Sequence, residues 1–261
     1  MKWAVPLYSK KQVKIAGKKI AKNNHSILES LKYNVIFNNW RASHAYPLQI
    51  VASFLRRKAK VVNENSVVVE RLKRRQSIQF KLYRYPQMNL QRMQDIGGCR
   101  AVLDDVDEVW ALTNALRHSR TRHKEDNFKD YISNPKSSGY RGIHIIYKYN
   151  GAKKSYLGHL IEIQIRSKIQ HAWATAVEIV DTYTNQLLKV ELGKDKWKRF
   201  FQLLSAEFAK LEGMPVEESL KEIDTYRELQ SITAELNAAE KFAQYALVAP
   251  LLDTNKDLKI S

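Results

Sequence analysis

The chain has 261 residues, 44% of them hydrophobic, enough for one catalytic domain with extensions or for two small domains, so disorder is not the default reading. No run approaches the roughly 18 consecutive apolar residues of a membrane span, and the N-terminus lacks the long apolar middle of a signal peptide. The single cysteine, Cys99, excludes a disulfide framework and any Cys-x-x-Cys site, so the expectation is a soluble cytoplasmic protein with no membrane partner. The net charge of +17 is concentrated: Met1 to Gln94 holds 20 basic and three acidic residues, and the rest of the chain holds 24 of each. Such a field attracts polyanions such as nucleic acid, nucleotides or an anionic membrane surface, the alternative being a merely solvated basic surface.

In chain order, Ser9 is placed to cap a helix to about Lys22. Ser26 caps a second to about Asn39, with Ile27, Leu28, Leu31, Val35 and Ile36 on its apolar side. Pro47 opens a third, to about Lys60. Val67 to Val69 reads as a strand, and Ser77 to Arg84 as a helix stopped by Pro86. Cys99 to Leu103 is a strand leaving the Gly97-Gly98 turn, and Val106 to Leu116 is a helix capped by one of the nearby aspartates. Ser133 to Gly139 is a loop. Ile143 to Tyr149 and His159 to Arg166 form a hairpin turning at Asn150-Gly151. Long helices follow, over about Lys168 to Leu188, Lys194 to Leu211 and Val216 to Ala246. The division expected is a basic helical extension (1–64), a mixed core (65–190) and a helical C-terminal extension (191–261).

No Walker-type or dinucleotide-type glycine loop occurs, so phosphates must be handled by side chains. Two acids inside apolar surroundings mark the place to look. Asp95 precedes the Gly-Gly turn, and Glu162 lies inside the strand Leu160-Ile161-Glu162-Ile163-Gln164-Ile165-Arg166. A period of two puts Ile161, Ile163 and Ile165 on a core face, and Glu162, Gln164 and Arg166 on a face that is either solvated or the floor of a polar site. Two carboxylates on neighbouring strands suit Mg²⁺ held against nucleotide phosphates.

The stretches Arg71-Leu72-Lys73-Arg74-Arg75-Gln76-Ser77-Ile78 with Lys81, Gln94-Asp95-Ile96-Gly97-Gly98-Cys99-Arg100, Asp130-Tyr131-Ile132, Asn134 through His144, and Glu162-Ile163-Gln164-Ile165-Arg166 together resemble the synthetase domain of the RelA/SpoT family, over roughly residues 65 to 180. The resemblance implies an α/β (α+β) fold, a mixed five-stranded sheet flanked by helices and akin to nucleotidyltransferases. It implies transfer of the β,γ-pyrophosphate of ATP to a ribose 3′-hydroxyl, with Mg²⁺ as cofactor. Arg71, Lys73 and Lys81 are then expected at ATP, Asp95 as principal metal ligand, and Glu162 as the second acid, binding metal or activating the hydroxyl. Tyr140 is expected to stack on the acceptor base, with Lys136, His144, Gln164 and Arg166 around the acceptor and the transferring group. Arg100 is expected to pair with Asp95. Gly142 and Ser167 stand where many relatives have serine and threonine.

No histidine is followed by aspartate, as the family's hydrolase domain would require, so the expected type is small and synthetase-only. Small members pyrophosphorylate GDP or GTP to make alarmones, or, as toxins, the 3′-terminal adenosine of tRNA. The basic first third favours tRNA, with Lys10, Lys11, Lys18 and Lys19 on its phosphates. A looser resemblance of Lys2 to Pro6 and of Trp40 to Pro47 to toxin-type relatives makes an antitoxin domain or protein a candidate partner. A catalytically silent RNA-binding module is the remaining alternative.

Overall fold

The computed structural model describes residues 3–22, 26–184 and 195–245. Two compact units cut across chain order: Met1–Lys129 with Gly142–Ser167, and Asp130–Arg141 with Lys168–Ser261.

The first unit is built on a five-stranded sheet in the order β1-β2-β5-β4-β3: β1 (Val67–Leu72), β2 (Gly97–Leu103), β3 (Lys124–Asp130), β4 (Ile143–Lys148) and β5 (Leu160–Ser167). β2 and β5 run parallel, while β1 and β4 pair antiparallel to them, which makes the sheet mixed as expected. β3 has no apolar alternation (Lys-Glu-Asp-Asn-Phe-Lys-Asp), and sequence pattern passes over it. It is an edge strand, where charged side chains protect the sheet from further pairing. β1 runs three residues beyond Val69, so Arg71 lies in the strand opposite Gly98.

Helices α1 (Lys10–Lys22), α2 (Ile27–Ala42), α3 (Ala45–Val62), α4 (Arg75–Arg84) and α5 (Val106–Arg117) complete this unit. Ser9 with Gln12 and Ser26 with Glu29 form reciprocal side-chain and main-chain caps, and Asp105 caps α5 through the Glu108 N–H. α1 packs on α2 and α4 through Val13, Ala16 and Ile20, meeting Ile36, Phe37, Trp40, Ile78 and Leu82. The apolar side expected for α2 is corrected here. Ile27 and Leu28 are 83% and 80% exposed, Leu31 and Val35 are exposed too, and only Ile36 of that group is buried. α2 is apolar on both sides, and the side with Phe37 and Trp40 wins because aromatic rings bury the most area.

The expected antiparallel hairpin is present, with a longer turn than Asn150-Gly151 alone. β4 and β5 are joined through a 3-10 turn at Lys154–Tyr156, closed by hydrogen bonds from Tyr149 N–H to His159 O and from Gly158 N–H to Tyr149 O. Gly158 turns the chain at φ +83°, which leaves Asn150-Gly151 as only the start of a longer connection.

In the second unit, α7 (Asp195–Leu211) packs against α6 (Lys168–Thr184) and α8 (Thr225–Leu236) around Trp173, Val177, Val180, Trp197, Phe200 and Phe201. The single helix expected from Val216 to Ala246 is broken into a 3-10 turn at Glu218–Leu220, α8 capped by Asp224, and a second helical stretch over 238–245. Asn237, at φ 48°, ends α8 in the left-handed conformation that asparagine tolerates. Expected helix residues 185–188 and 194, and position 246, lie outside the described residues.

Candidate active site

Strand register gathers the expected donor-side residues within the first unit. Lys73 follows β1 and is tied to the start of β2 by its N–H on Ile96 O, at 2.8 Å. Lys81 projects from α4, which is anchored by buried Ile78 and Leu82. Both ammonium groups reach the same oxygen, Asp95 Oδ2, at 2.9 and 2.8 Å. Burial alone would raise the Asp95 carboxyl, but these two cations hold it below the ordinary range. Lys73 and Lys81 thus supply the pairing expected of Arg100. Asp95 Oδ1 is buried without a hydrogen-bond donor, and an orphaned acceptor of this kind costs free energy unless a ligand completes it.

Glu162, on β5 opposite Gly98 of β2, is the second acid. His144 Nδ1 lies 3.0 Å from its Oε1, and Gln164 Nε2 donates to Oε2 at 2.8 Å. Arg166 Nη2 holds Gln164 Oε1 at 2.9 Å, so the polar face of β5 is a connected chain ending on the carboxylate. Burial would raise Glu162; the hydrogen bond and charge of His144, the amide of Gln164 and the charge of Lys81 together bring it to about 2. Lys81 therefore acts on both acids. Arg71 is exposed on β1.

The second unit holds the other expected residues. Lys136 Nζ lies over the Tyr140 ring at 5.0 Å and the Tyr131 ring at 4.7 Å, and Tyr140 meets Trp173 edge-on. Trp173 is buried in the core of this unit, and Tyr131, which had no expected role, stands inside one of the motifs quoted above. On α1, Lys10, Lys11 and Lys18 are exposed and Lys19 is half-buried.

A pair of carboxylates with one unfilled oxygen fits Mg²⁺, which takes one or two protein carboxylates and completes its shell with water and phosphate oxygens. Among the described residues no group of three or more His, Cys, Asp or Glu forms a dedicated metal cage. None of the helices described is long and apolar enough to cross a membrane.

A sequence profile of the region found in RelA and SpoT proteins matches residues 70–186. The GTP pyrophosphokinase YjbM of Bacillus subtilis is 35% identical over 91 residues, 34% of this chain and 43% of that protein. The GTP pyrophosphokinase of Escherichia coli K12 is 35% identical over 77 residues, 30% of this chain and 9% of that one. The matched stretch thus spans less than half the length of these curated relatives. Small alarmone synthetase 1 from Bacillus subtilis, solved bound to its product pppGpp, superposes with a TM-score of 0.54 at 25% identity, covering 64% of this chain and 88% of that one. Small alarmone synthetase 2 from the same organism shares the fold, with a TM-score of 0.58 at 20% identity over 67% of this chain and 94% of that one. Residues 70–186, which hold Asp95, β2 and β5 with Glu162, are therefore similar to the region found in RelA and SpoT proteins.

Proposed function

We propose that the chain is an ATP-dependent pyrophosphokinase whose acceptor is a guanine nucleotide. The acceptor's ribose 3′-oxygen bonds to the β-phosphorus of ATP, the bond from that phosphorus to the α,β-bridging oxygen breaks, AMP leaves, and the hydroxyl proton passes to solvent by way of ionised Glu162. One observation carries the reading: Asp95 has one oxygen clamped by two lysines and the other buried and unfilled, and one of those lysines, Lys81, also acts on a second ionised carboxylate, Glu162. Asp95 and Glu162 would hold Mg²⁺, which when bound neutralises charge on the phosphates. Arg71, Lys73 and Lys81 bind the triphosphate, the two lysines exchanging Asp95 for phosphate oxygens when ATP arrives. Gln164 and Arg166 fix the rotamer of Glu162, and His144 fixes its other oxygen. Tyr140 stacks on the base, with Lys136 beside the acceptor phosphates. Phosphoryl-type transfer asks for positioning and neutralisation rather than covalent chemistry, and these residues offer both.

The likeness to a synthetase solved with pppGpp supports the guanine acceptor. Transfer to tRNA keeps the support of α1, a helix with six lysines and no acid. γ-Labelled ATP incubated separately with GDP, GTP and bulk tRNA tests both readings. Label on GDP or GTP at any salt is expected. Label on tRNA alone, abolished by reversing Lys10, Lys11, Lys18 and Lys19 to glutamate and falling steeply with salt, overturns the guanine acceptor and installs tRNA. In the tRNA case an antitoxin is the partner to seek.

A further inference from the structure

The second unit contains a buried cation that the donor chemistry does not use. Arg141 is 5% exposed; its guanidinium donates to neutral acceptors, Nη1 to Ile132 O at 2.7 Å, Nη2 to Pro215 O at 2.9 Å and Nε to Ser205 Oγ at 3.3 Å, while Glu217 and Glu212 act on it through charge. Ser205, on α7, passes the contact on by donating to Gly139 O at 2.6 Å, and Gln202, one turn earlier, donates to Ser137 O at 2.7 Å. Gly139 sits at φ +87°, where a Cβ would come within 2.9 Å of Ser205 Cβ and 3.0 Å of Phe201 O. The loop over 132–141 is therefore moulded against α7 at Ser137, Gly139 and Arg141. Lys136 and Tyr140 lie among these anchors, and a Gly139 N–H bond to Lys136 O at 2.7 Å closes the turn that joins them.

We infer that Arg141, Ser205 and Gln202 are positioning residues for the acceptor: α7 holds the 132–141 loop in the shape that presents Tyr140 and Lys136 to the acceptor nucleotide. The inference rests on the acceptor role proposed above for Tyr140. A hydroxyl 64 residues away in the chain then sets acceptor affinity without touching the acceptor. A fork of three bonds from one guanidinium cannot be reproduced by lysine, whose ammonium is a point donor.

The test measures steady-state constants for ATP and for the acceptor that serves as substrate, together with hydrogen exchange of the peptide over 131–141, in Ser205→Ala, Gln202→Ala and Arg141→Lys. Expected for Ser205→Ala is an acceptor KM about tenfold higher, with ATP KM and kcat within about twofold and faster exchange confined to that peptide. Gln202→Ala should show the same pattern more weakly. Arg141→Lys keeps the charge and guards against loss of fold. Unchanged acceptor KM in both Ser205→Ala and Arg141→Lys, or an equal rise for ATP, overturns the inference. Tyr140→Ala in the same series separates the two claims. If it raises acceptor KM while the α7 variants do not, the acceptor assignment stands and the clamp falls; if it leaves acceptor KM unchanged, the assignment fails and the inference with it.

Discussion

The two units hold their expected site residues in different ways. In the first, each acid is held by side chains of the same site: two lysines on Asp95, and a histidine and a glutamine on Glu162. In the second, the 132–141 loop is held chiefly by main-chain carbonyls that accept from Arg141, Ser205 and Gln202. The difference teaches where function is stored. A site of paired charges can exchange one partner for a charged ligand at little cost, because a cation passes from one anion to another. A loop held by hydrogen bonds to main-chain carbonyls has no ion pair to exchange and serves as a fixed shape.

The sharpest break of that contrast removes charge at constant volume. Asp95→Asn or Glu162→Gln is expected to lower pyrophosphate transfer at least about a thousandfold, with an unchanged circular dichroism spectrum. Near wild-type turnover in either variant would remove the paired acids from the chemistry.

The next effect concerns stability. Beneath the sheet, His44 and His159 are buried with rings 4.6 Å apart, His159 Nε2 against Ser43 Oγ and His44 Nδ1 against Trp40 O. Burial, together with the neighbouring imidazole, pushes His44 down to about 3. Burial, with some opposition from the Tyr156 carbonyl and some help from Lys10, pushes His159 down to about 4. Both are neutral when folded and take up a proton when unfolded below about pH 6.5, so stability falls as pH drops from 6.5 toward 4, by up to about 2 kcal/mol for each histidine by pH 5. In the second unit, Glu207 and Glu228 are held below the usual carboxylate range despite burial, Glu207 by Lys210 and Thr225 and Glu228 by its Arg199 hydrogen bond, so their contribution is lost only below about pH 4.5. Hydrogen-exchange protection, relative to the intrinsic rate at each pH, should therefore fall between pH 7 and 5 in α3 and β5 but not in α7 and α8, and His159→Gln should flatten the response of the first unit.

A smaller effect tests the lysine clamp. Lys73→Met or Lys81→Met should raise ATP KM about tenfold, since a cation on phosphate is lost. Each should also move the acid limb of the pH–rate profile to higher pH, because removing a cation lets the Asp95 carboxyl rise. A profile that moves the other way contradicts the pairing. Smallest of all, Arg199→Ala breaks a half-exposed bidentate pair with Glu228 and should cost no more than about 1 kcal/mol by urea denaturation, with ATP KM unchanged.

Much of this was legible in the chain. The Ser9, Ser26 and Asp105 caps and the alternation of β5 are local signals, and Glu162 announced itself as a charge inside an apolar strand. β3 was not legible, because an edge strand needs no apolar face. Nor was the buried side of α2, where two apolar faces compete and only packing decides. The final helix broke at Asn237 through a backbone conformation that composition leaves open. Asp95 could be singled out, yet its partners Lys73 and Lys81 come together only through the register of β1 with β2 and the placement of α4. The Arg141 and Ser205 contact lies beyond sequence pattern altogether, since a serine on a helix face gives no sign of the loop it will meet.

The central claim is that one phosphorus centre, the β-phosphorus, is attacked, and the stoichiometry of the leaving group tests it most directly. With ATP labelled separately at the α and γ positions and the acceptor identified by label transfer, one AMP should be released for every γ-label incorporated, in wild type and not in Asp95→Asn. Release of ADP with a single phosphoryl group transferred, or AMP and pyrophosphate released with no label on any acceptor, would contradict the account.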